Sequence, residues 1–455
     1  MSAREPWVDD ASAALLTDLY QLTMLQAYWR EEMVEEAVFS LFARRLPRPR
    51  NYLLACGLDD VLHYLESMRF TPEALDYLST FDQFSAEFLK RLERFRFTGE
   101  VHAVPEGTPV FANEPILEVI APIPEAQLVE TFIMNQVHLQ TVLASKAARV
   151  VEAARGRAVV DFGLRRMHGT DAGMKAARAF HVAGVDATSN VLAGRTYGLH
   201  VTGTMAHSYV QAHDDEMDAF RAFARLYPAT TLLVDTYDTL DGVRMVASLA
   251  REMGDAFTVR AIRLDSGDLV ELANEARRIL DGAGLERVEI FASGGLDEHE
   301  IDRMVSAGAP ITGFGVGTGM GVSADAPSLD IAYKLTSYAG RGRLKLSPGK
   351  PILPGRKQVF RVEENGHAVR DVIARAEEDL SGRALLVPVM RDGERLPAGR
   401  GDLGEARSRA REEIGRLPAR IRGLEPADPP YPVGLSEALE RYLDEVAEGA
   451  VEGVR

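Results

Sequence analysis

The chain has 455 residues, 46% hydrophobic and 26% charged, with a net charge of −16; that length predicts two or three domains, and so acidic a surface disfavours broad contact with nucleic acid or anionic membrane. Cys56 is the only cysteine, which excludes an intrachain disulfide and a cysteine-rich zinc site and fits a reducing, cytoplasmic setting. No apolar run reaches about 18 residues and the N-terminal MSAREPWVDD lacks a basic-then-apolar pattern, so neither a transmembrane helix nor a secretory signal is expected.

Residues 12–36 read as a helix, with Leu15, Leu19, Leu22, Leu25 and Tyr28 at helical spacing. Residues 37–47 read as a strand and 57–68 as a second helix. From 97 to 122, short β-prone runs broken by Gly, Pro and Asn predict a hairpin or meander. A long helix is expected over 124–155. From 157 the apolar runs AVVDFG, HVAGVDA, LHVTGTMAH, TLLVDT, VRAIRLDSGD, VEIFASGG and ITGFGVGT alternate with helical stretches, among them 218–226, 240–253, 268–282 and 297–307. Such alternation predicts a parallel sheet, and about seven runs favour an irregular or incomplete α/β barrel over an open doubly wound sheet. Residues 340–375 return to β-like patterns, and 402–450 read as two surface helices. The expected domains are a mixed α/β N-terminal domain (1–155), an α/β-barrel catalytic domain (156–340) and a C-terminal extension (341–455) whose strands return to the first.

In α/β barrels the active site lies at the C-terminal strand ends. Here those ends deliver Phe162 and Arg165-Arg166, then Thr204 and His207, then Asp235, then Arg263, Asp265, Ser266 and Asp268, then Ser293, Gly294 and Gly295, and finally Gly315, Gly317, Thr318 and Gly319. The glycines let backbone N–H groups approach a phosphate, and a helix starting near Leu296 would add its dipole. The plainer reading is tight βα turns with Gly at positive φ. Arg263 in an apolar strand end requires a partner or a ligand. It is either ion-paired with Asp265 or meets an anion, Asp265 then holding ribose hydroxyls or a metal. Phe162 packs in the core or stacks on a flat ring. Residues 231–243 have a superficial likeness to the sugar-pyrophosphate loop of type I phosphoribosyltransferases. They lack its glycine-threonine ending, so they read as a βα turn with Asp235 and Asp238 as candidate carboxylates.

His207 has three readings: metal ligand, packed core imidazole, or nucleophile. His200 and His213 are near in sequence but complete no metal motif. His207 follows a strand run and precedes a helix, with Ser208 as its expected cap. A helix N-terminus favours neutral imidazole and stabilises negative charge placed on the ring, which suits a transient phosphohistidine.

The stretches TDLYQLTM (17–24), DFGLRRMHGTDAG (161–173), DATSNVLAGRTYGLHVTGTMAHSYV (186–210), IRLDSGDL (262–269), ASGGLDE (292–298) and GFGVGTGM (313–320) together resemble the nicotinate phosphoribosyltransferase family. The resemblance runs from about residue 12 to 365, and the last ~85 residues carry no matching motif. It implies a type II phosphoribosyltransferase fold. The implied reaction joins nicotinate to 5-phosphoribosyl 1-pyrophosphate, gives nicotinate mononucleotide and pyrophosphate, and is coupled to ATP hydrolysis with Mg²⁺ in NAD salvage. It implies that His207 is phosphorylated by ATP and that Tyr20 and Phe162 sandwich the pyridine ring. Thr204 and Arg263 would lie near the carboxylate, Arg165 near ring and phosphates, and Asp265 on the ribose side. Gly294, Gly295, Gly317 and Thr318 would bind phosphate. A homodimer is implied, with Tyr20 completing the neighbouring subunit's site. Ser189 stands where the related nicotinamide enzyme has an aspartate, which favours the acid as substrate. The alternatives are a nicotinamide or quinolinate enzyme of the same fold, or a barrel enzyme acting on a sugar phosphate. The last would want a lysine or an enediol-forming acid at a strand end, and none of these ends carries a lysine.

Overall fold

A computed structural model of the protein describes residues 8–345 and 352–452. The chain divides into two units, Met1–Val142 with Ser328–Arg455, and Leu143–Pro327.

The first unit is built on a seven-stranded antiparallel sheet that interleaves early and late chain. Glu36–Ala43 lies between Pro115–Pro122 and Ile331–Tyr338, and Val387–Arg391 joins on the far side of Glu100–Ala103. Every residue of Glu36–Ala43 after the first is buried, which is why it reads as a continuous apolar run. The 97–122 segment is the meander its turn residues predict: Glu100–Ala103 pairs antiparallel with Pro115–Pro122. A four-stranded sheet holds Lys357–Glu364, His367–Arg375, Arg383–Ala384 and Val433–Leu435. Part of the β-like stretch expected at 340–375, residues 346–351, lies outside the described residues. The tail forms the helices Leu403–Arg416 and Glu437–Glu452, with a short helix and a strand between them. Two expected helices are interrupted. Residues 12–36 form a 3₁₀ turn, Ala13–Leu15, then the helix Leu19–Arg30, because Asp18 is extended. Residues 124–155 form Ile123–Leu128 and Glu130–Ala154.

The second unit contains six strands, numbered here β1 (Ala158–Asp161), β2 (Ala187–Thr188), β3 (Thr231–Leu233), β4 (Ala261–Leu264), β5 (Glu289–Ala292) and β6 (Gly313–Val316). Their order is β2-β1-β6-β5-β4-β3 and every pair is parallel. Among the described residues β2 and β3 are unclosed edges, so this is the expected incomplete α/β barrel. The expected seventh run, 199–207, makes only a single bridge, Val201 with Thr188. Its later residues are bound by a side chain instead, as shown below. The helices Glu216–Leu226, Thr239–Met253, Leu269–Gly282 and Glu298–Ser306 each begin on an aspartate whose carboxylate accepts backbone N–H bonds: Asp215, Asp238, Asp268 and Asp297. Asp238 and Asp268 are therefore helix caps.

Candidate active site

A cavity of about 470 Å³ opens at the C-terminal ends of the parallel strands, and all of its lining residues belong to the second unit. Of the residues singled out by sequence, it gathers Phe162, Arg165, Arg166, Ser189, Thr204, His207, Arg263, Asp265, Ser293, Gly294, Gly295, Gly315, Gly317 and Thr318.

The chain enters it after β1 through a tight turn. Asp161 is buried, and its carboxylate accepts from Gly163 N (2.8 Å) and Thr188 Oγ1 (2.7 Å). Burial raises its pKa against those two hydrogen bonds. The turn delivers Phe162 and the 3₁₀ turn Leu164–Arg166. Gly315 makes room for the ring, since a Cβ there would lie 2.5 Å from Phe162 Cδ2.

Arg263 sits on β4, in register with Leu233 on β3 and Phe291 on β5. Its guanidinium donates to Thr204 Oγ1 and, at 3.2 Å, to the Met205 carbonyl. These bonds occupy the 199–207 segment that forms no ladder. The guanidinium carbon is 5.9 Å from the Phe162 ring centroid, within cation–π range. Arg263 Nε is buried and has no hydrogen-bond partner, an omission that typically costs about 1–3 kcal/mol. Burial draws its pKa below the ordinary arginine value, and it remains a cation at neutral pH. A planar cation held beside an aromatic face, with a donor to spare, suits a flat anion.

His207 opens a five-residue helix, His207–Gln211, whose N-cap position is Ala206 with no side-chain cap. Ser208 lies inside the helix and is not its cap. The imidazole Nδ1 is 3.1 Å from Thr236 Oγ1, and Nε2 faces Asp265 Oδ2 at 4.0 Å. The side chain is 40% exposed, so it is no packed core histidine. The carboxylate facing it is itself held. Asp265 Oδ1 accepts from the Ser293 hydroxyl. Asp235 Oδ2 accepts from Asp265 N (2.9 Å) and Ser266 Oγ (2.7 Å). Asp235 Oδ1 is buried without a partner. Arg263 and Asp265 each turn to other groups, Arg263 to Thr204 and Met205 and Asp265 to Ser293. Thr236, missed in the sequence, has one signal there: it adjoins Asp235 in the loop after β3.

Gly294 and Gly295 adopt left-handed φ of +90° and +69°. A Cβ on Gly294 would fall 1.8 Å from the Asp265 carbonyl oxygen, so only glycine fits. The helix after this turn starts at Glu298, and Asp297 takes its first amides, from His299 (2.9 Å) and Glu300 (3.0 Å). The expected start near Leu296 is thus displaced. Any anion at this turn meets loop backbone instead of a bare helix end. Gly317 precedes the four-residue helix Thr318–Gly321.

Tyr20 belongs to the first unit, on Leu19–Arg30, and is 47% exposed. Its hydroxyl donates to Glu130 Oε2 (3.2 Å) and accepts from Gln21 Nε2 (2.8 Å). Burial and then the Glu130 charge push the phenol up to about 12.

The family models for the nicotinate phosphoribosyltransferase N-terminal domain and for the nicotinate phosphoribosyltransferase family match residues 15–138 and 157–363. A nicotinate phosphoribosyltransferase of Mycobacterium tuberculosis is 58% identical over 426 residues, covering 94% of this chain and 92% of that protein. This chain belongs to the nicotinate phosphoribosyltransferase family. A nicotinate phosphoribosyltransferase of Bacillus subtilis is 42% identical over 387 residues, 83% of this chain and 79% of that one. The crystal structure of human nicotinic acid phosphoribosyltransferase superposes with a TM-score of 0.83 at 28% identity, covering 94% and 99% of the two chains. A nicotinate-nucleotide pyrophosphorylase from Pyrococcus furiosus shares the fold with a TM-score of 0.74 at 25% identity, covering 91% and 98%.

Proposed function

We propose that this chain joins nicotinate to 5-phosphoribosyl 1-pyrophosphate in the second-unit cavity, giving nicotinate mononucleotide and pyrophosphate for NAD salvage, with ATP hydrolysis coupled through His207. The observation that carries the reading is Arg263, a half-buried cation beside an aromatic ring with its buried Nε donor unmade. The pyridine ring would lie on Phe162, its carboxylate on Arg263 and Thr204. The ring nitrogen forms a bond to the sugar's anomeric carbon as the carbon–oxygen bond to pyrophosphate breaks, and the electron pair leaves with pyrophosphate. The chain's work is positioning and neutralisation. Arg165 and the turns at Gly294, Gly295, Gly317 and Thr318 hold phosphates, and Asp265 holds ribose hydroxyls. Ser189, in the cavity wall, spares the carboxylate a negative neighbour.

Among the described residues no group of three or more His, Cys, Asp or Glu side chains is arranged to hold a metal. That composition suits Mg²⁺ bound mainly by substrate phosphates with one or two carboxylates. Asp265 and the unpartnered Oδ1 of Asp235 fit that role. Bound there, the ion would neutralise the leaving pyrophosphate.

His207 would accept the γ-phosphoryl group of ATP on a ring nitrogen, with release of ADP; water later takes the group off as phosphate. Asp265 and Thr236 orient the ring for this step. The exposed apolar end formed by Leu16, Leu19 and Tyr20 supports a homodimer in which Tyr20 covers the neighbouring subunit's pyridine. A cytoplasmic setting is supported by the lone buried Cys56. Among the described residues no helix is long and apolar enough to cross a membrane.

The test is turnover with nicotinate, nicotinamide and quinolinate in parallel, with and without ATP. The expected result is turnover of nicotinate alone, stimulated by ATP. Equal turnover of the amide or the diacid would overturn the reading. For the coupling, His207→Ala is expected to keep a slow basal transfer and to lose protein-bound label from γ-labelled ATP. Full labelling of the variant would remove His207 from that role.

A further inference from the structure

The two glycine turns of the cavity come from different strands and share an anchor on their far side. The 293–295 turn follows β5 and leads into the helix Glu298–Ser306. The 315–319 turn spans the end of β6 and the start of the helix Thr318–Gly321, with Asp325 just beyond. The second turn lies against the chain just after the first: a Cβ on Gly319 would lie 3.2 Å from the Leu296 carbonyl oxygen and 3.4 Å from Asp297 Cβ. Behind them lies Lys146, on the helix Glu130–Ala154. Its side chain is 3% exposed, and Nζ is 2.5 Å from Glu298 Oε2 and 2.7 Å from Asp325 Oδ1. Glu298 is wholly buried and takes a second cation, Arg149 Nε, at 2.8 Å. One amine therefore ties together the first residue of the helix after one turn and the segment after the other.

A buried ion pair adds little stability over an apolar filling of the same volume, but its geometry is exacting. Arg149 with Glu298 alone would balance charge on the first helix. The second contact of Lys146, to Asp325, joins the two segments. We infer that Lys146 is a positioning residue that sets the spacing of the two phosphate-binding turns and so governs the grip on 5-phosphoribosyl 1-pyrophosphate, without touching it. The inference rests on the phosphoribosyl-transfer reading above.

The test uses the full-length enzyme, with KM measured separately for the pyrophosphorylated sugar and for nicotinate. Lys146→Met removes the bridge. Asp325→Asn, at a side chain 30% exposed, weakens the second link and leaves Lys146 and Arg149 on Glu298. A displacement of the turns by a fraction of an ångström is expected to raise KM for the sugar about tenfold in Lys146→Met, and about threefold in Asp325→Asn. KM for nicotinate should rise less than KM for the sugar in both, since Arg263 stands on β4. If Lys146→Met does not fold, Asp325→Asn decides. Unchanged KM for the sugar, or both KM values rising together, would overturn the inference. Absence of transfer by the unaltered enzyme would overturn the functional reading beneath it instead.

Discussion

Arg361 in the first unit and Arg263 in the second are both drawn into the protein, and they keep different company. Arg361 has no exposed side-chain surface. It donates through Nε and Nη2 to Asp371 (3.0 and 2.6 Å), through Nη2 to the Pro109 carbonyl (2.9 Å) and through Nη1 to Glu413 (3.4 Å). Tyr431 closes the group by donating to Asp371 at 2.9 Å. Burial disfavours this charge, yet Asp371 outweighs it and holds the guanidinium above the ordinary arginine value. Arg263 is shifted the other way by burial, binds only a hydroxyl and a carbonyl, and leaves Nε unmade. A charge answered on every side fixes a fold. A charge left short of partners at a cavity wall is open to a ligand.

The largest expected effect breaks the closed cluster. Asp371→Ala should lower unfolding free energy by about 3–5 kcal/mol, because it strands a buried guanidinium. Denaturant melts would measure this, and turnover per folded molecule should be unchanged at low temperature. A stable variant with lost turnover would mean the closed cluster is functional too. At the open cavity, Gly294→Ala forces a methyl onto the Asp265 carbonyl at a positive φ. It should cost about 1–3 kcal/mol of stability and, by displacing the carboxylate that faces His207, cut kcat roughly a hundredfold. Wild-type kcat would show that this spacing does not matter. The smallest effect is Ser189→Asp. In the proposed binding mode it sets a like charge near the substrate carboxylate and should raise KM for nicotinate roughly fivefold, about 1 kcal/mol. KM for nicotinamide would be the control.

Strand-end chemistry is local, and so it was legible: IRLDSGDL puts Arg263 and Asp265 at the end of β4, and ASGG puts two glycines at the end of β5. What the sequence hid depends on partners from elsewhere. Thr236 is one more loop hydroxyl until the fold brings it to His207 Nδ1. Lys146 is one more helical lysine until two carboxylates meet it. The run 199–207 has strand propensity and strand spacing, yet Arg263 binds its Thr204 side chain and Met205 carbonyl and leaves only the Val201 bridge. Asp238 reads as a candidate site carboxylate in the sequence, and Asp268 as a strand-end polar residue, because caps and ligands use the same residue types at strand-to-helix turns. Only their bonds to backbone amides separate them.

On the proposed reading, the incompletely partnered Arg263 recognises the substrate's carboxylate. Arg263→Gln keeps length and donors but removes the charge and the planar fork. The direct measurement is the ratio of kcat/KM for nicotinate to that for nicotinamide, in the unaltered enzyme and in this variant. Loss of a charge-assisted pair, about 1.5–3 kcal/mol, predicts a fall in the ratio of roughly 10- to 100-fold, with the change in nicotinate. A ratio that stays constant while both substrates weaken together would contradict it.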